Sequence, residues 1–103
     1  MSEIVSLQEQ LVSILKEKNM KISFAESCTG GLAAAGIVDV SGASEIFYGS
    51  MVTYDNSIKA GLINVSWDVL NSVGPVSHEC AKQMAEGVRK AIGSDCALSI
   101  TGI

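Results

Sequence analysis

Between residues 21 and 38 the side-chain pattern changes its period within a single turn. Lys21 to Ala25 alternates polar and apolar, with Ile22 and Phe24 to one side, and runs straight into Glu26-Ser27-Cys28-Thr29-Gly30-Gly31. The alternation predicts a strand, and the paired glycines predict a tight turn. From Gly31 to Val38 the residues are mainly Leu, Ala and Ile with an added Gly36, which predicts a small-residue helix able to lie very close to a sheet. Thr29 is its expected N-cap. A strand that feeds a helix in this way belongs to layered α/β folds.

The other elements fit around that unit. Ser6 and Glu9 have capping-box spacing, and Leu7, Leu11, Ile14 and Leu15 recur on one face of a helix that Asn19 can end. After a flexible stretch from Ser41 to Ser44, Ile46 to Tyr54 is rich in aromatic and β-branched residues and reads as one or two strands. Asp55-Asn56 makes a turn. Ser57 to Leu62 and Ser66 to Val73 read as short helices with apolar stripes at Ile58 and Leu62, and at Val69, Leu70 and Val73. Ser77 caps a longer helix with Cys80, Ala81, Met84, Ala85 and Val88 at helical spacing, Arg89 and Lys90 in its last turn, and Gly93 beyond. Cys96 to Ile100 is a final short strand. Strands alternating with helices predict a three-layer α/β/α sandwich.

Composition narrows what such a fold does. The 103 residues carry 7 Lys plus Arg against 11 Asp plus Glu, a net charge of −4, which argues against a basic nucleic-acid clamp. Hydrophobic residues make up 48% and charged residues 17%, with one Pro and no linker, so residues 1–103 are expected to form one packed domain. The longest weakly polar run, Gly30 to Val38, is far short of the ~20 residues that cross a bilayer. Met1 to Gln10 has two acidic and no basic residues, the wrong sign for a secretory leader, so a cytoplasmic location is expected without a membrane partner. Three cysteines without a CxxC pair fit reduced thiols.

Open α/β sheets bind ligands outside the carboxyl ends of their strands, and Glu26 to Gly31 occupies that place. The glycines let backbone N–H groups approach a ligand, the following helix directs its positive end there, and Ser27 and Thr29 supply hydroxyls. Such a turn can hold an anion or an oxyanion; the plainer reading is that the glycines allow only a sharp bend and close packing. The turn is neither a nucleotide P-loop nor a dinucleotide fingerprint. It has no GxSxG elbow around Ser27 and no Lys three residues after it.

A serine hydroxyl needs a base to become a nucleophile. His78 is the one histidine, and its place in the first turn of a helix fits a surface residue better than a triad member. A lysine amine is another route: burial favours its uncharged form, and a tyrosine hydroxyl can relay the proton. Tyr54 and Lys59, five residues apart around one turn, fit that role, although an edge-strand aromatic and a surface charge are their ordinary readings. Cys28 at a helix N-terminus is a further nucleophile, against the commoner case of a small buried thiol. His78 and Cys80 at i, i+2 point apart on a helix, so they do not begin a metal site.

The strings Ala25-Glu26-Ser27-Cys28-Thr29-Gly30-Gly31, Gly49-Ser50-Met51-Val52-Thr53-Tyr54-Asp55-Asn56 with Lys59, Val76-Ser77-His78-Glu79-Cys80-Ala81 and Thr101-Gly102-Ile103 closely resemble the CinA C-terminal domain family. These are the competence-damage-inducible proteins, whose domain acts as a nicotinamide mononucleotide amidohydrolase. The resemblance runs in order from about residue 5 to the last residue. It implies hydrolysis of the nicotinamide carboxamide to nicotinic acid mononucleotide and ammonia, in pyridine-nucleotide salvage. It places the family's catalytic set on Ser27, Tyr54 and Lys59, and requires neither metal nor organic cofactor.

On that reading the N–H groups from Cys28 to Gly30 form the oxyanion hole, Thr29 and Gly31 help hold a small nucleotide substrate, and Asn56 and Thr101 are further contacts. In relatives the Thr-Gly-Ile motif continues into Ala-Gly-Pro, a Gly-rich turn, more strands and a closing helix. The resemblance therefore implies the N-terminal two thirds or so of the family domain, a mixed sheet incomplete at its C-terminal end, and an uncovered edge that invites a homo-oligomer. Two alternatives stand beside the amidase: a non-catalytic module holding a phosphate at the helix after Thr29, and an inactive truncated fragment.

Overall fold

The computed structural model describes residues 5–103, so the reading of Met1 to Gln10 as no leader falls partly outside the described residues. At the centre lies β1 (Ile22–Glu26), all five of whose residues are buried. It pairs in parallel with β2 (Phe47–Val52) on one side and with β3 (Cys96–Ile100) on the other. Parallel neighbours need crossovers, and helices supply them. One crossover contains α2 (Leu32–Val38); the other contains α3 (Asn56–Ile63), α4 (Trp67–Ser72) and α5 (His78–Ile92), while α1 (Leu7–Lys18) precedes the sheet. The α/β sandwich expected from the sequence is present. The described sheet is parallel throughout, where a mixed sheet was expected.

Alternation along β1 sorts the layers. Ile22 and Phe24 face one side and pack with Val12 and Leu15 of α1, Ile37 of α2, Ala43 and Ile46. Ala25 faces the other side and packs with Ile63 of α3, Val65, Leu70 of α4, and Cys80, Met84 and Val88 of α5. Each large apolar side chain buried this way contributes on the order of 2 kcal/mol. Phe24 also meets Phe47 at a ring-centroid distance of 5.9 Å.

The β2 strand keeps this sorting through an irregularity: Ile22 pairs with Phe47, but Ser23 pairs with Gly49, leaving Tyr48 extra. One additional residue exchanges the two faces of a strand. Phe47 therefore packs against the α1 layer, whereas Met51, four residues on, packs against the α5 layer. Without that residue Thr53 would face the wrong layer.

The helix ends follow the chemistry of their caps. Ser6 Oγ accepts from the Glu9 N–H at 3.1 Å while the Glu9 carboxylate accepts from the Ser6 N–H at 3.3 Å, and Asn19 ends α1 at φ 53°. Ser77 Oγ accepts from the Cys80 N–H at 3.1 Å, and Gly93 ends α5 at φ 82°. Other expectations are corrected. The cap of α3 is Asp55, and its inward residues are Lys59 and Ile63; Ile58 and Leu62, the expected stripe, are exposed. Val73 is exposed as well, and the stretch from Ser41 to Ser44 contains part of a 3-10 turn, Ala43–Glu45, with Ala43 in the core. The α3 stripe misleads because an apolar-inward rule assigns a lysine to solvent, and here the lysine is the buried residue.

Candidate active site

Ser27 continues the line of β1 by one residue, its N–H donating to the Ile100 carbonyl at 2.9 Å. It shares parity with Ser23 and Ala25, which places it on the α3–α5 side of the sheet, and it is 4% exposed. From that side comes Lys59. Asp55 Oδ2 accepts from the Ser57 N–H at 3.0 Å and from Ser57 Oγ at 2.5 Å, which starts α3 immediately after Tyr54. One turn later Lys59 points back into the sheet, 1% exposed, with Nζ 3.1 Å from Ser27 Oγ. Its Nζ also donates to the Tyr54 main-chain carbonyl at 2.9 Å. Among the described residues the ion pair is Lys16 with Glu45, so Lys59 is buried without a carboxylate against it.

Tyr54 also contributes through its backbone. It holds Lys59 through its main-chain carbonyl, while its side chain is 74% exposed at the edge of the same hollow. Ser27, Cys28, Tyr54, Asn56, Lys59 and Thr101 line one hollow of about 230 Å³ with residues of the 75 and 102–103 segments. Thr101 Oγ1 donates to the Pro75 carbonyl at 2.7 Å, which ties the end of β3 to the α4–α5 connection. Larger space, about 510 Å³, lies elsewhere, between α1 and α2, away from the Ser27–Lys59 contact.

The glycine turn is less open than its sequence suggests. Glu26, on the Ile22–Phe24 face, is fully buried beneath the start of α2; its carboxylate accepts from Thr29 Oγ1 at 2.7 Å, the Ala33 N–H at 2.8 Å and the Ala34 N–H at 2.9 Å. Thr29 is therefore a donor to Glu26, not the N-cap of α2, which is Gly31 at φ 112°. The Gly30 N–H is also spent, donating to the Ser27 carbonyl at 3.1 Å. Of the expected oxyanion donors, the N–H groups of Cys28 and Thr29 have no hydrogen-bond partner among the described residues. Gly31 and Thr29 belong to the turn's own structure and lie outside the lining of the hollow. Parity with Ile22 and Phe24 is the sequence signal that assigns Glu26 to the α2 side.

Burial pushes the Glu26 carboxyl up, but the Thr29 hydroxyl and the amides of Ala34, Ala33 and Gly31 outweigh it and hold the group below its ordinary value of 4.5. A carboxyl that releases its proton more readily when folded stabilises the fold above the unfolded value, and the contribution disappears as pH falls through the folded one. Urea unfolding at pH 7 and pH 3.5 is expected to show a larger acid loss for wild type than for Glu26→Gln. Equal losses would remove Glu26 as a source of acid sensitivity. Cys80, buried on α5, has its thiol pushed up by burial, with the Lys59 charge pulling the other way. His78 is exposed at the start of α5 and lies outside the lining of the Ser27–Lys59 hollow.

Residues 4–103 match the family model described as the CinA C-terminal domain. A CinA-like protein of Pseudothermotoga lettingae is 46% identical over 99 residues, 96% of this chain and 24% of that protein. A CinA-like protein of Dictyoglomus thermophilum is 50% identical over 98 residues, 95% of this chain and 24% of that protein. The chain thus spans about a quarter of the length of these curated relatives. The crystal structure of the competence/damage inducible protein CihA from Agrobacterium tumefaciens superposes with a TM-score of 0.88 at 32% identity, covering 100% of this chain and 65% of that one. A CinA superfamily protein from Escherichia coli superposes with a TM-score of 0.90 at 27% identity, covering 97% and 63%.

Proposed function

This chain belongs to the CinA C-terminal domain family, and from that membership we propose that it carries an amidohydrolase site acting on the carboxamide of nicotinamide mononucleotide. One observation carries the reading: a buried lysine amine 3.1 Å from a buried serine hydroxyl. In its uncharged form the amine has a lone pair to offer Ser27 while one N–H stays on the Tyr54 carbonyl, which is the arrangement of a nucleophile, a base and a group that orients the base.

Ser27 Oγ attacks the amide carbon and its proton passes to Lys59 Nζ. The carbonyl oxygen becomes an oxyanion facing the Cys28 N–H group, which lines the hollow without a partner of its own. Collapse breaks the C–N bond, and Lys59 returns the proton to the departing nitrogen, so that ammonia leaves and an acyl ester remains on Ser27. Water, deprotonated by Lys59, attacks the ester carbon; the Ser27–acyl bond breaks, Ser27 recovers a proton, and nicotinic acid mononucleotide is released. Tyr54, Asn56 and Thr101 line the hollow and supply an aromatic face, an amide and a threonine for binding a flat pyridine and its ribose. No metal or organic cofactor enters these steps.

Ammonia release from nicotinamide mononucleotide is the test. Ser27→Ala is expected to lower the rate at least about a thousandfold, and equal rates in variant and wild type would reject Ser27 as the nucleophile. The phosphate-holding module has less support, because the first amides of α2 are already bonded to Glu26.

A further inference from the structure

Thr53 is 0% exposed, and its hydroxyl is one of two buried side-chain polar atoms without a hydrogen-bond partner among the described residues; the other is Ser50 Oγ. Buried polar groups are paired as a rule, so an unpaired one is either a defect or a group waiting for a partner. The fold separates the two cases. Ser50 pairs with Phe24 and lies on the α1–α2 face. Thr53 follows the Glu26–Val52 pair, donates its N–H to the Glu26 carbonyl at 2.7 Å, and so stands beside Ser27 in register and on the same face. The next residue is Tyr54, whose carbonyl already holds Lys59.

Donor arithmetic then asks for one more acceptor at Lys59. An uncharged amine has two N–H groups and a lone pair; after it takes the Ser27 proton it has three N–H groups. The Tyr54 carbonyl accepts one. Ser27 Oγ, the other neighbour, is by then bonded to the tetrahedral carbon of the adduct and is a poorer acceptor than the free hydroxyl. An ammonium 1% exposed to solvent, with substrate filling the hollow in front of it, has little water with which to make up the deficit. We propose that the Thr53 hydroxyl is a positioning residue for Lys59, accepting an N–H of the charged amine once the proton has been transferred. Its lack of a partner in the resting site agrees with this, because an interaction formed only after proton transfer lowers the barrier without tightening the ground state.

This inference rests on the proposed Ser27–Lys59 chemistry, and the experiment keeps the two apart. The probe is phenylmethylsulfonyl fluoride, which forms a Ser27 Oγ–sulfur bond and breaks the sulfur–fluorine bond, fluoride leaving and the Ser27 proton passing through Lys59 to solvent. Intact-mass kinetics give the labelling rate of the full chain, and urea unfolding gives its stability. Wild type is expected to label at Ser27. Thr53→Val is expected to label about tenfold more slowly with its urea midpoint unchanged or raised, since it removes an unpaired hydroxyl. Thr53→Ser is expected to stay within about twofold of wild type.

Wild-type labelling by Thr53→Val would overturn the inference while leaving the Ser27–Lys59 reading intact. So would a Thr53→Ser variant as slow as Thr53→Val, because packing and not the hydroxyl would then be responsible. Should Thr53→Val fail to fold, Thr53→Ala takes its place in the comparison. A folded wild type that does not label at Ser27 would reject the underlying reading itself, and this inference with it.

Discussion

Replacing Lys59 with methionine is expected to lower ammonia release from nicotinamide mononucleotide by about a thousandfold while leaving the fold as stable as wild type, or more stable by about 1 kcal/mol. The two halves of that result have one origin. Lys59 is 1% exposed and has no ion-pair partner among the described residues, so the fold gains little from its charge. A methionine of similar length fills the same space without the cost of burying an amine. What it loses is the amine 3.1 Å from Ser27 Oγ and the N–H on the Tyr54 carbonyl.

Lys59→Arg is expected to be no better as an enzyme, because a guanidinium does not give up its proton near neutral pH. Ammonia assays and urea titrations of the same preparations decide the matter. A methionine variant that keeps its rate, or one that loses several kcal/mol of stability, would make Lys59 a structural tie for the Tyr54 turn and remove it as the base.

The second large effect lies away from the hollow. Gly87 of α5 lies against the last turn of α3, so close that a Cβ there would overlap the Ile63 carbonyl oxygen and stand 2.8 Å from its carbon. Backbone cannot step aside as a flexible side chain can. Gly87→Ala is therefore expected to cost about 3 kcal/mol, in spite of alanine's better helix propensity of about 1 kcal/mol. The displaced element is α3, which carries Lys59 one turn before Ile63. Turnover is expected to fall along with stability, under conditions where the variant remains folded. A variant as stable and as active as wild type would show that α3 and α5 have room to separate. By contrast, nothing lies within 4 Å of a Cβ built at Gly61, which makes Gly61→Ala the matched control on α3.

Much of this architecture was legible in local pattern. The caps at Ser6, Asn19, Ser77 and Gly93, the buried stripe of α5 and the strand through Ile22 and Phe24 all follow from the spacing of apolar residues and from which side chains can satisfy free backbone groups. Resemblance of ordered motifs added the family and singled out Ser27, Tyr54 and Lys59. Several things escaped. Thr29 looked like a helix cap because a threonine before two glycines resembles one, yet its hydroxyl donates to Glu26, which reaches the Ala33 and Ala34 amides from the strand below. The stripe of α3 was read as Ile58 and Leu62 because lysines normally belong in water. The main-chain contact of Tyr54 with Lys59 left no mark in the sequence, because any residue at that position offers the same carbonyl.

Local sequence thus determined the order of elements, their ends and the chemical groups available, since propensity, capping and periodicity act over a few residues. Tertiary structure decided which groups meet. Ser27 and Lys59 are 32 residues apart in sequence, and their contact depends on the parity of β1 and the way α3 returns from its cap at Asp55. The extra residue in β2 then turns Thr53 toward the same layer. A one-residue change of strand parity moves a side chain across the whole thickness of a sheet, and no local propensity records which side it will find occupied.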